Sequence, residues 1–133
     1  MRSDRAGFWG RLMALLLSAC GPEPELGGAQ VQAAARELWQ ARCANCHGVA
    51  GHGDGPSGRG LGVRPRDFHD AAWQGRVDDA YLRRVIVEGG GAHGLSADMA
   101  ANVDLADRPA IVGELVRTIR EFRPDGGSGG SGE

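Results

Sequence analysis

Arg36-Glu-Leu-Trp-Gln-Ala-Arg-Cys-Ala-Asn-Cys-His-Gly48 is the stretch that decides how this chain reads. Its two cysteines stand three positions apart, and a histidine follows the second at once. Upstream, Val31, Ala35, Leu38 and Trp39 fall at the spacing of an amphipathic helix that runs on through Arg42 to Cys46, and the Ala-rich start favours it. On such a helix Cys43 and Cys46 are one turn apart, and His47 follows on the side where its imidazole reaches the same space.

C-x-x-C-H is the attachment sequence for c-type haem: each thiol forms a thioether with a haem vinyl group and the histidine reaches the iron. With 3 Cys and 4 His in 133 residues, roughly 0.002 matches arise by chance. A thioredoxin-like redox pair needs a βαβ unit, and none is predicted. A structural zinc site needs four ligands, and the remaining cysteine, Cys20, lies in a leader-like segment. A plain Cys43–Cys46 disulfide fits an oxidising compartment but leaves the long loops downstream without a purpose.

Outward from the motif, two more helices are predicted. Asp78 or Asp79 caps one that carries Tyr81, Leu82, Val85 and Ile86 on one face and stops at Gly89-Gly90-Gly91. The other begins near Pro109 and carries Ile111, Val112, Leu115, Val116, Ile119 and Phe122 as a continuous apolar stripe, with Pro124 ending it. No period-two alternation and no hairpin dipeptide between β-branched runs occurs, so the fold class is all-α: three main helices. Gly48–Arg76 and Gly89–Arg108 remain as long loops, a length that makes sense in a small domain only if they wrap something.

The termini read differently. Arg2, Arg5 and Arg11 precede a short apolar run, Leu12 to Ala19, the profile of a secretory signal over residues 1–19 and too short for a membrane span. Its end, Leu17-Ser-Ala-Cys20, resembles a bacterial lipoprotein signal, which implies acylation of Cys20; the alternative is ordinary cleavage near Ala19. Residues 20–30 read as a Pro/Gly/Glu linker and residues 124–133 as a flexible Gly/Ser tail.

Composition sets the outer limits. Charged residues are 24% and hydrophobic ones 41%, with 23 glycines and 15 basic residues, all of them Arg. One small packed domain is expected over residues 31–123, and disorder is disfavoured. The net charge is −2, and losing Arg2, Asp4, Arg5 and Arg11 with the signal takes it to about −4. There is no basic footprint, so nucleic-acid binding is not expected.

Residues 31–123 resemble a bacterial class I c-type cytochrome. The resemblance rests on Arg36 to Gly48, then Gly51-His-Gly-Asp-Gly-Pro56, Arg64-Pro-Arg-Asp-Phe68, Ala72-Trp-Gln74, Tyr81 to Gly90 and Gly94-Leu-Ser-Ala-Asp-Met99. It implies one covalent haem c, with the first and last helices crossing, Trp39 meeting Ile119 or Phe122. It implies Met99 as the second axial ligand to iron opposite His47, a soft thioether that raises the reduction potential; His93 is the competitor. It implies a proline carbonyl, here Pro56, accepting the His47 ring N–H. Arg64, Arg66 and Trp73 are candidate donors to the haem propionates. Phe68, Leu61, Leu82, Ile86 and Leu95 read as haem wall or core, and His52 and His69 as solvated. Two departures stand out: Ala100-Ala101 follows Met99 where Pro is common, and the run from Met99 to the last helix is long.

The functional expectation is a one-electron carrier rather than an enzyme, with no catalytic residues. It is expected on the periplasmic side of a bacterial membrane, held by a lipid on Cys20, exchanging electrons with transient redox protein partners. The alternatives are a haem-based gas sensor or peroxidatic protein with an open or displaceable sixth ligand, or an electron-transfer subunit of a larger oxidoreductase complex. The single C-x-x-C-H excludes a di-haem mechanism within the chain.

Overall fold

The computed structural model describes residues 26–124. The leader with Cys20 and the tail from Asp125 onward lie outside the described residues. Helix α1 spans Gly28–Leu38 and starts three residues inside the stretch read as linker, where the Gln30 side chain accepts the Gly27 N–H at 2.8 Å. It does not run evenly into the motif. A π turn over Trp39–Cys43 intervenes, and α2, Ala44–His47, completes the segment.

The 48–76 stretch was expected as loop, and its last part corrects that: α3 forms over Ala71–Arg76. The cause is Asp70, whose carboxylate accepts the Trp73 N–H at 2.9 Å and so supplies one of the amide partners a helix start lacks. Helix α4 spans Asp79–Glu88, and of its two candidate caps Asp78 serves, taking the Tyr81 N–H at 2.6 Å. Helix α5 spans Pro109–Glu121, with the proline in the first turn where no intrahelical N–H is needed. Short 3₁₀ turns at Gly58–Gly60, Gly91–His93 and Val103–Leu105 punctuate the connections. Among the described residues the structure is helical with no strand, as the all-α expectation required.

The core forms where α5 packs against both α1 and α4. Ile111, Val112, Leu115, Val116 and Ile119 are buried along α5, against Val31, Ala35 and Trp39 from the first segment and Leu82 and Ile86 from α4. Side chains of this size gain about 1.5–3 kcal/mol each on full burial, so this seam dominates the stability. Leu105, 1% exposed, closes it from the final connection. At the motif end an aromatic group takes over. Trp39 lies 5.3 Å from Phe122 and 6.1 Å from Phe68 between ring centres, which makes Phe122 its aromatic partner across the helix crossing.

Among the described residues, a single polar side chain is buried in this core. Gln74 donates to the Phe68 carbonyl at 2.9 Å and the Ile119 carbonyl at 2.8 Å, and its Oε1 accepts from Arg120 at 2.7 Å. Arg120 also reaches the carbonyls of Gln74 and Val77 and the Asp79 carboxylate. Both N–H groups and the oxygen of the Gln74 side-chain amide are thereby occupied, so its burial carries little desolvation cost.

Candidate functional site

The site is built on α2. Cys43 and Cys46 are free thiols, both half-buried, at the end of the π turn and within the following helical turn. Burial pushes the Cys43 thiol up to about 11, outweighing the pull of the Arg42 charge, so it stays protonated at neutral pH and is no redox-active thiolate.

His47 closes the same turn. Its Nδ1 lies 3.3 Å from the Arg66 carbonyl oxygen. A carbonyl can only accept, so Nδ1 carries the proton and donates it, which leaves the Nε2 lone pair free as a ligand. Burial lowers the imidazole's pKa, with the Arg66 hydrogen bond opposing it in part, and the ring is neutral at pH 7, the state a metal needs. The Phe68 ring stacks on it, 4.7 Å between centres and 19° between planes, and fixes its orientation.

This corrects the expectation for Pro56. Pro56 is exposed, and the carbonyl that takes the His47 proton belongs to Arg66, ten residues on and directly after Pro65. The sequence carried a signal for it in Arg64-Pro-Arg-Asp-Phe68, the only other proline-bearing stretch between the motif and α3. Pro56 belongs instead to a turn that caps the motif helix. Gly55 donates to the Cys46 carbonyl at 3.1 Å and Ser57 to the Asn45 carbonyl at 2.9 Å, while Gly53 donates to the His47 carbonyl at 2.7 Å. The carbonyls that a helix end leaves unpaired are satisfied in this way. The approach is so close that a Cβ on Gly55 would meet the Ala44 and Asn45 carbonyl oxygens at 2.5 Å.

The candidate propionate donors separate. The Arg66 guanidinium stands over the Trp73 ring, 5.4 Å from its centre, with Asp70 at 3.6 Å. Arg64 lies apart from them and donates to the Gly53 carbonyl at 3.5 Å. Of the residues read as wall or core, Phe68, Leu82 and Ile86 are buried and Leu61 is half-buried; Leu95, 49% exposed, is not core.

Met99 is half-buried on the segment that follows α4. That segment is fastened to the end of α4: Gly90 donates to the Met99 carbonyl at 2.9 Å, Asn102 donates through its backbone to Val87 and through its side chain to the Ile86 carbonyl at 2.8 Å. Gly89 makes the turn with φ +81, and a Cβ there would meet the Ala101 nitrogen at 2.8 Å and the Met99 oxygen at 2.9 Å. Asn102 was not singled out by the sequence. His93 sits on the 3₁₀ turn between, edge-on to Tyr81 at 5.9 Å. Its Nε2 lies 2.9 Å from Glu88 Oε2 but without the alignment of a hydrogen bond, and it is a buried polar nitrogen with no directed partner among the described residues. His52 and His69, read as solvated, lie together: their rings stack at 3.8 Å beside Asp67.

A turn of helix bearing two free thiols and a neutral imidazole with one nitrogen pinned and the other free is the donor set that covalent haem attachment requires. The cytochrome c family model matches residues 32–112. The chain belongs to the cytochrome c family. Compared with curated proteins and with solved structures, it gives no match. The family match takes in the motif, the Arg66 carbonyl and Met99 together, and it makes the chain a haem-binding electron-transfer domain. In this domain Cys43, Cys46 and His47 are the residues that fit the cofactor, and α5 continues nine residues past the matched span.

Proposed function

We propose that this cytochrome is a mono-haem one-electron carrier, with Cys43 and Cys46 as thioether attachment points and His47 and Met99 as axial ligands. The observation that carries the reading is His47: Nδ1 bound to the Arg66 carbonyl and Nε2 left free. Haem supplies a reversible ferric–ferrous couple. The chain's own part is to hold its ligands still across that change. Phe68 and Arg66 fix the imidazole, and the hydrogen bonds to Arg66, Gly90 and Asn102 fix the two segments that carry the ligands. Such restraint favours outer-sphere transfer to a partner over substrate binding. His93 is the less suitable sixth ligand, since its Nε2 lies 2.9 Å from the Glu88 carboxylate and its ring packs edge-on against Tyr81.

In the same reading residues 1–19 are a cleaved signal and Cys20 carries a lipid, which places the domain on the periplasmic face of a bacterial membrane. The mildly acidic mature chain favours transient protein partners with basic or neutral faces. The domain serves either as a free carrier or as a subunit of a larger oxidoreductase complex.

The test is the absorption spectrum of protein made with a haem-attachment system. A low-spin ferric form with the weak far-red sulfur-to-iron band is expected, and Met99→Ala should abolish that band, lower the potential and keep the covalent haem. A high-spin ferric form that takes up carbon monoxide on reduction, with no response to Met99→Ala, would overturn Met99 ligation and put the gas-sensing alternative first.

A further inference from the structure

A second cluster of ligating side chains lies outside the haem site. His52, Asp67 and His69 each offer a ligand atom within 4.8 Å of the others. The Asp67 Oδ1 is at the centre: 3.5 Å from His52 Nδ1 and 3.2 Å from His69 Nδ1. With metal–ligand bonds of about 2.0–2.1 Å, adjacent donors of a tetrahedral site are about 3.3 Å apart. The two separations bracket that value. Two imidazoles and one carboxylate form a borderline donor set that suits zinc-like cations and not calcium or magnesium, which prefer all-oxygen shells.

The backbone brings these residues together without help from any ion. Phe68 donates to the Gly51 carbonyl at 2.8 Å, so the residues flanking it, Asp67 and His69, are held against the segment that carries His52. Asp67 is held further by the His69 N–H at 2.9 Å, which orients its carboxylate toward the two rings. The rings themselves lie nearly parallel, 16° between planes, so coordination requires one to turn its nitrogen toward the other's. His52 has that freedom, its side chain being 49% exposed. His69 is steadied by Phe122, 5.6 Å between ring centres.

We propose that His52, Asp67 and His69 form a binding site for one zinc-like divalent cation, with the fourth position taken by water. The site joins residues 15 positions apart in sequence and thereby closes the turn-rich stretch that caps the motif helix. A cation there stabilises the folded chain over the unfolded one, because the three donors converge only in the fold.

The experiment is a calorimetric titration of the untagged, haem-loaded protein with zinc chloride in a non-chelating buffer, followed by thermal unfolding with and without zinc. One equivalent is expected to bind at micromolar concentration and to raise the melting temperature. His52→Ala, a change on an exposed side chain, should weaken binding at least tenfold, and His69→Ala and Asp67→Asn should do the same. Affinity unchanged in His52→Ala, or no saturable binding below millimolar zinc in the parent protein, would overturn the site. Should Asp67→Asn or His69→Ala fold poorly, the His52 variant alone decides.

Discussion

Residues 48–70 and residues 89–105 are both irregular and glycine-rich, both expected to line the cofactor, yet they are anchored in different ways. The first hangs on the motif helix itself. The amides of Gly48, Gly53, Gly55 and Ser57 take the carbonyls of Ala44, His47, Cys46 and Asn45 in turn. The second hangs on α4 through Gly89 and Asn102, which donate to the Val85, Val87 and Ile86 carbonyls, and among the described residues its hydrogen bonds to the motif-bearing segment run through Arg42 alone, to Asn102 and Asp104. In the proposed reading, one segment is thus part of the attachment machinery, and the other is a separate strap that carries Met99. A change in the first should propagate to thiols and imidazole, whereas a change in the second should alter ligation and leave attachment intact.

The largest effect that bears on this contrast comes from the motif. Replacing Cys43 and Cys46 by Ala together should abolish covalent haem, read as loss of haem staining on a denaturing gel; retained stain would break the assignment of both thiols. Next comes a matched pair of glycine changes. Gly55→Ala forces a methyl against the Ala44 and Asn45 carbonyls, and a cost of about 1–3 kcal/mol is expected, together with a reduced yield of covalent haem. Gly89→Ala meets a comparable obstruction and a positive φ, so a similar loss in Tm is expected, but with the yield of attachment unchanged and the ligation altered. Equal loss of attachment in both variants would dissolve the contrast between the two segments.

The smallest effect concerns the Arg42 link. Its guanidinium lies 2.8 Å from Asp104 and holds that carboxyl below its ordinary value of 3.8, chiefly through the hydrogen bond. A depressed carboxylate contributes stability at neutral pH and loses it as pH falls through the folded-state value. Asp104→Asn should therefore lower Tm slightly at pH 7, with the difference from the parent closing below about pH 4. A difference that persists at pH 2 would assign the effect to something other than the ion pair.

Much of this was legible beforehand. The α5 stripe and the Asp78 cap are local patterns, and C-x-x-C-H carries its chemistry in its spacing. A Trp39 contact with the end of the last helix followed once the family resemblance supplied the helix crossing, with the choice between Ile119 and Phe122 left to the structure. What escaped notice depends on backbone groups or on partners far apart in sequence. No side-chain pattern identifies a carbonyl, so Arg66 was passed over in favour of Pro56. The burial of Gln74 could not be foreseen, because its partners Phe68, Ile119 and Arg120 come from both sides of it across the fold. Asn102 escaped for the same reason, since Ile86 is sixteen residues away. Helix α3 was missed because six residues are too few to show a period, and its signal was a single capping aspartate.

The π turn at Trp39–Cys43 sets an angular phase. It winds one residue more than an α turn would between the face that packs on α5 and the face that carries the thiols. Each residue of an α-helix advances by about 100° around its axis. Straightening the same residues into regular α winding, with none removed, would carry Cys43, Cys46 and His47 up to about 100° round the axis from their present bearing while the α1 seam stayed seated, whereas deleting one residue at Gln40 or Ala41 would remove the extra residue and leave that bearing nearly unchanged. The irregularity is the gearing between two surfaces of one continuous rod, one that holds the protein together and one that gives it something to hold.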